Sequence, residues 1–116
     1  KHERGPEHGG KNLRLVYRDP VTGAFSDYSA PIVGPGSGLN EHWAEGPTLL
    51  KNPEGGWNLY WDAYGAGYYG LARSHDLKSW EDATSTLRTG VDDPRHGSFF
   101  RAPASAVGWE RPGASD

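Results

Sequence analysis

Glu45 lies in the run Ala44-Glu45-Gly46-Pro47-Thr48-Leu49-Leu50, a carboxylate set just ahead of an apolar segment that reads as a strand. Further on, at an offset of 51, His96-Gly97 echoes Glu45-Gly46. A carboxyl group at the narrow end of a cleft, desolvated by aromatic neighbours, has its pKa raised and serves as a general acid near neutral pH. The plainer alternative for Glu45 is a solvated acid preceding a Gly-Pro turn. A histidine in the matching place of a following module would share the same cavity, and Arg95 beside it either binds a ligand or forms a structural salt bridge.

Such side chains need elements that converge, and the chain repeats itself in a way that supplies them. Residues 15–29 (LVYRDPVTGAFSDYS) match residues 70–84 (GLARSHDLKSWEDAT) at a constant offset of 55, pairing Arg18 with Arg73, Phe25 with Trp80 and Asp27 with Asp82. A period near fifty, with strand-like units and an aromatic residue at a fixed place, indicates radial repetition of small sheets, that is, propeller blades. The expected class is all-β: antiparallel four-stranded blades of a β-propeller that is incomplete in this chain. In such a ring the start of each innermost strand faces the central channel, so Glu45 and His96 should both point into that funnel.

Read along the chain, residues 1–30 form the second half of one blade, with strands at Asn12–Arg18 and Ala24–Tyr28 around an Asp19–Gly23 turn. Residues 31–44 are a Gly/Pro-rich connection. Residues 45–83 are a complete blade, with strands expected at Thr48–Lys51, Trp57–Asp62, Tyr68–Ser74 and Ser79–Asp82. The turn at Asn52–Gly56 relies on Gly and Pro for its backbone angles. Residues 84–94 are a crossover, and residues 95–116 open a further blade at Ser98–Arg101 and end in a tail. No segment has a sustained helical period. Trp57, Trp61 and Trp80 belong to the core by their place in alternating strands.

Composition agrees with a folded, turn-rich chain. Of 116 residues only 34% are apolar, yet six Tyr, five Trp and three Phe supply burial that a disordered tail lacks. Net charge of −3 gives no reason to expect nucleic acid or an anionic membrane as partner, and no apolar run approaches a membrane span. Without cysteine there is neither a disulfide framework nor a thiolate metal site. The chain starts at Lys1 and contains no methionine, which reads as a trimmed or partial product whose remaining blades lie elsewhere.

The run AEGPTLL, a Gly-Gly turn, WNLYWDAYG, GYYGLARSHDLKSWED and RHGSF together resemble the later blades of glycoside hydrolase family 43. The opening KHE, GGKNLRLVYRD and GAFSD resemble the second half of the preceding blade, so that the likeness spans roughly residues 1–101. The resemblance implies a five-bladed propeller that hydrolyses arabinose-, xylose- or galactose-containing polysaccharides with inversion. It implies that Glu45 is the general acid. It also implies that His96 lies on the propeller axis, as a ligand of calcium or another ion, with no cofactor required for the chemistry. A lone histidine gives calcium little affinity, so such an ion would be mostly water-coordinated; the alternative is a neutral His96 bonded to a backbone carbonyl. Trp43 and Tyr64 are candidates to stack on a sugar face, or else to pack between blades, and Arg95 is a candidate for sugar hydroxyls.

The family's base and its second, acid-tuning Asp correspond to no residue present; Asp62, Asp82 and Asp92 are in the wrong places for either. Inversion needs two carboxyls roughly 6.5–9.5 Å apart. The expectation is therefore an inactive 116-residue chain from an active glycosidase. The alternatives are a non-catalytic carbohydrate-binding propeller and a truncated product without activity. Asp62 is expected to turn the loop beside the funnel through an Asx-type hydrogen bond, the alternative being a direct substrate role. Trp61-Asp62 is not the WD40 signature, whose period and partner are missing. His2, Glu3, Glu7 and His8 read as solvated charge in a Gly/Pro loop. The chain carries no readable address; a secreted or periplasmic parent is compatible with the reading.

Overall fold

The computed structural model describes residues 10–87, 90 and 92–108; the loop and the His2/Glu3/Glu7/His8 group expected before residue 10 lie outside them. Four strands follow one another as a meander: β1 (Trp43–Lys51), β2 (Trp57–Tyr64), β3 (Tyr68–Ser74) and β4 (Glu81–Asp82). They form one antiparallel sheet in the order β1-β2-β3-β4, the arrangement of a propeller blade. The all-β class read from the sequence is what the chain adopts.

Each turn has a local cause. Between β1 and β2 the Asn52 carboxamide accepts the Glu54 N–H and its backbone pairs with Gly56. Between β3 and β4 one Asp76 oxygen accepts the N–H groups of Lys78 and Ser79, both at 2.8 Å. Those bonds hold the Asp76 carboxyl below its ordinary value.

The two sheet faces have different work. Ala44, Leu59, Trp61, Ala63 and Ala72 share one face, and Leu13, Ile32 and Val33 of the preceding segment pack onto it to form the core. Trp61 is fully buried and its indole lies on Gly70, its cross-strand partner. A Cβ on Gly70 would come within 2.1 Å of the Trp61 ring, so only glycine fits there. The opposite face carries Trp43, Glu45, Tyr60, Asp62, Tyr64 and Tyr69, by the alternation of side chains along paired strands.

Several expected strands are absent. Asn12–Arg18 and Ala24–Tyr28 make only two isolated bridges, Leu13↔Val33 and Arg18↔Phe25. The reason is chemical: the N–H groups of Leu15 and Tyr17 donate to the hydroxyls of Ser29 and Ser26 where a ladder would offer carbonyls. Ser98–Arg101 is likewise not a strand; it is held by the Phe99 ring on Tyr60 and by the Arg101 guanidinium on the Lys51 carbonyl, 2.8 Å away. The crossover contains a 3-10 turn at Thr84–Thr86, and the tail a single helical turn, α1 (Ala104–Val107).

The sequence repeat nonetheless has a structural counterpart. Ser29 and Thr84 fall on each other at the offset of 55, and both hydroxyls accept a backbone N–H, from Leu15 at 2.8 Å and from Leu71, one residue out of that offset, at 3.1 Å. The preceding turns are also built alike, though two residues out of that offset, since Asp19 caps Val21 and Thr22 as Asp76 caps Lys78 and Ser79.

Candidate functional site

The site begins with a break in the β1–β2 ladder. Glu45 opposes Asp62 and Thr48 opposes Tyr60, so that Gly46 and Pro47 together face Trp61 alone. This is a β-bulge. Pro47 has no N–H to leave unpaired, and Gly46 takes φ +52°, the left-handed region that glycine enters without strain. The bulge puts Glu45 directly across from Asp62, on the face away from the core.

Glu45 is buried, at 7% exposure. The Lys11 ammonium donates to its Oε1, and His96 Nε2 lies 2.7 Å from its Oε2. The setting is thus more polar than the aromatic surroundings expected from the sequence. The ammonium favours the carboxylate form of Glu45. His96 and Glu45 must hold one proton between them along their contact, as imidazole N–H to carboxylate or as carboxyl O–H to imidazole. The His96 side chain is 59% exposed, which connects that proton to solvent.

Asp62 is buried like Glu45 but differs from it in its partners. It is 1% exposed, and neither carboxylate oxygen has a hydrogen-bond partner among the described residues. The Asx turn expected of it is therefore not made. Burial pushes its carboxyl above the ordinary range; the charges of His96 and Arg95 oppose this, while those of Glu45 and Asp93 add to it. Ligand atoms of Glu45, Asp62 and His96 all lie within 4.8 Å of one another.

Trp43 and Tyr64, paired at the open end of β1 and β2, stack with ring centroids 5.8 Å apart and planes 3° from parallel. Both keep exposed surface, and the Lys11 ammonium sits 4.5 Å from the Tyr64 centroid. Arg95 is exposed; it pairs with Asp93 at 3.6 Å and lies 5.6 Å from the Tyr64 ring. An exposed pair of that length contributes ~0–1 kcal/mol and leaves the guanidinium available to a ligand.

The segment bearing Arg95 and His96 is anchored to the sheet. The Tyr69 hydroxyl donates to the Arg95 carbonyl at 2.6 Å, and Phe99 stacks on Tyr60 at 4.3 Å and meets Tyr69 edge-on at 5.3 Å. His96 is in turn seated on the Gly46 backbone, where a Cβ would stand 3.2 Å from its ring.

All five residues singled out from the sequence, Trp43, Glu45, Tyr64, Arg95 and His96, therefore gather at one end of the sheet. Sequence reading missed Lys11 and set Asp62 aside. Lys11 sits in a Gly-rich stretch with no strand pattern, although its backbone carbonyl accepts the Ala44 N–H and so fixes it beside β1. Asp62 would have been found by taking β1 back to Trp43 and placing a bulge at Gly46-Pro47. Comparison with protein-family models, with curated proteins and with solved structures gave no match.

Proposed function

We propose that this chain is the acid-bearing part of an inverting glycosidase of the family 43 kind, acting on arabinose-, xylose- or galactose-containing saccharides. The observation that carries the reading is a buried Glu45 whose Oε2 meets a solvent-exposed imidazole at 2.7 Å, beside a stacked aromatic pair. In this reading a sugar ring rests against Trp43 and Tyr64, whose apolar faces suit its C–H patch. Arg95 bonds sugar hydroxyls. Glu45 gives its proton to the leaving glycosidic oxygen, and His96 returns one from solvent to Oε2. Substrate binding must first loosen the Lys11 contact, because an ammonium on Oε1 opposes protonation. The base and its activated water belong to blades outside residues 1–116, and none of the chain's carboxylates is assigned that task.

The calcium implied by the family resemblance would sit at His96. One oxygen from each of Glu45 and Asp62 lies within 4.8 Å of a His96 nitrogen, which fits a cation, and the two Asp62 oxygens are without protein partners among the described residues. Such an ion supplies positive charge only, and no step passes through it.

The test has two parts. Xylo- and arabino-oligosaccharides should quench tryptophan fluorescence of the chain, and Trp43→Ala should remove the quenching. Hydrolysis of aryl arabinofuranoside or xyloside should require the complementary blades and fall about 10²–10⁴-fold in Glu45→Gln. Turnover by the 116-residue chain alone would refute the division of acid and base. One observation favours a second reading, a carbohydrate-binding blade without hydrolysis: the Lys11 ammonium pairs with Glu45 and opposes its protonation. In that case saccharides bind, Glu45→Gln weakens binding, and no complementation yields turnover.

A further inference from the structure

We propose that Glu45, Asp62 and His96 form a binding site for a divalent first-row transition cation, which enters by displacing the Lys11 ammonium. It shares His96 with the calcium implied by the family resemblance but differs in engaging both carboxylates of the β1–β2 pair directly, where that calcium would be mostly water-coordinated.

Three features support it. The first is convergence: two carboxylates and an imidazole bring ligand atoms within 4.8 Å of one another, although they come from two strands and a distant loop. The second is Asp62. A carboxylate that is 1% exposed with neither oxygen bonded among the described residues carries a large desolvation cost, and a cation between it and Glu45 would relieve that cost. The third is that a cation already occupies part of the site. The Lys11 ammonium donates to Glu45 Oε1, while neither Asp62 oxygen has a hydrogen-bond partner among the described residues. One ammonium thus serves one of two buried carboxylates, whereas a divalent ion would serve both.

The donor set selects the class of ion. Imidazole suits zinc, copper, iron and nickel, and carboxylates are accepted by zinc as well, so one His with two carboxylates points to Zn2+ ahead of Ca2+ or Mg2+. With bonds of about 2.0–2.2 Å, ligand atoms must approach to roughly 3.4 Å, a closure of up to about 1.4 Å from the 4.8 Å within which they lie. His96 is free to supply it, since its side chain is 59% exposed and its contact with Glu45 would be exchanged for the metal bond. The imidazole must be neutral to bind, so affinity falls as pH drops.

Binding does not depend on the glycosidase reading; only its consequence does, namely that a metal-held Glu45 has no proton to give and hydrolysis stops. The experiment is therefore direct titration of the 116-residue chain with ZnCl2, and separately with CaCl2, followed by calorimetry. One Zn2+ per chain is expected, with Ca2+ at least tenfold weaker. Asp62→Asn and His96→Ala should each weaken Zn2+ by about 10–100-fold or more. Lys11→Met should tighten it, and a gain of affinity cannot come from failure to fold. Absence of Zn2+ binding would overturn the proposal. So would binding that Asp62→Asn leaves intact, which would place the ion on surface histidines such as His42 or His75. Equal affinity in Lys11→Met and the parent chain would overturn the displacement.

Discussion

Gly46→Ala tests how the bulge and His96 depend on each other. The substitution acts twice. At φ +52° an L-residue with a Cβ is strained by about 1–2 kcal/mol, and stiffening of the unfolded chain adds to neither side enough to reverse that sign. The new Cβ also stands 3.2 Å from Cδ2 and 3.4 Å from Cγ of His96, inside ordinary contact distance. The ring is mostly exposed, so it yields rather than the strand, and its 2.7 Å contact with Glu45 opens. A hydrogen bond to a charged group is worth about 1.5–3 kcal/mol, and exposure of His96 brings this below that range, to about 1 kcal/mol. The total is about 2–3 kcal/mol.

Urea unfolding of the parent chain, Gly46→Ala, His96→Ala and the double variant closes a cycle. With His96 gone the added methyl loses its three nearest contacts and the backbone strain is what remains, so the coupling between the two sites should be about 1 kcal/mol. Equal costs of Gly46→Ala in both backgrounds would refute the contact. No cost in either would refute the bulge itself.

Two further outcomes follow from the same geometry. Gly70→Ala drives a Cβ to 2.1 Å from a Trp61 ring that has no exposed surface to retreat into, so stability should fall by about 1–3 kcal/mol or more in urea, and an unchanged midpoint would mean that the indole does not lie on that strand. Asp76→Asn removes a carboxylate whose backbone bonds hold its pKa below 3.8; a depressed folded value stabilises the chain above 3.8 and the benefit disappears as pH falls through the folded value. Thermal unfolding should therefore separate Asp76→Asn from the parent chain at neutral pH and bring them together in strong acid.

The middle of the blade was legible because its signals are local. Alternation and turn chemistry placed Tyr68–Ser74 at its observed limits and Trp57–Asp62 only two residues short of its end. The failures are of another kind. Asn12–Arg18 alternates as a strand should, but nothing in alternation reveals that serine hydroxyls will take the N–H groups that a partner strand would otherwise bind. Ser79–Asp82 shortened to Glu81–Asp82 because Asp76 claims the Ser79 N–H for the turn. Lys11 was out of reach for a different reason: a long flexible side chain acts far from its own backbone position, and no period marks where it lands.

Glu45 shows how much can hang on one irregularity. The hairpin pairs Leu50 with Asn58, and continuing that register without interruption would bring Glu45 opposite Ala63, on the face that packs against Leu13 and Val33. Because direct partners share a face, a one-residue slip exchanges the two sides of everything beyond it. The extra residue at Gly46-Pro47 provides that slip. It sends Ala44 into the core, where it is fully buried, and turns Trp43 and Glu45 toward Tyr64 and Asp62. An unbroken strand would have left a carboxylate in an apolar interface, which costs several kcal/mol, and would have taken the indole of Trp43 off its partner ring. The Gly-Pro pair therefore assembles the site by changing parity alone, which is why a residue placed ahead of the strand by its sequence turns out to lie inside the ladder, across from the acid that its own chemistry concerns.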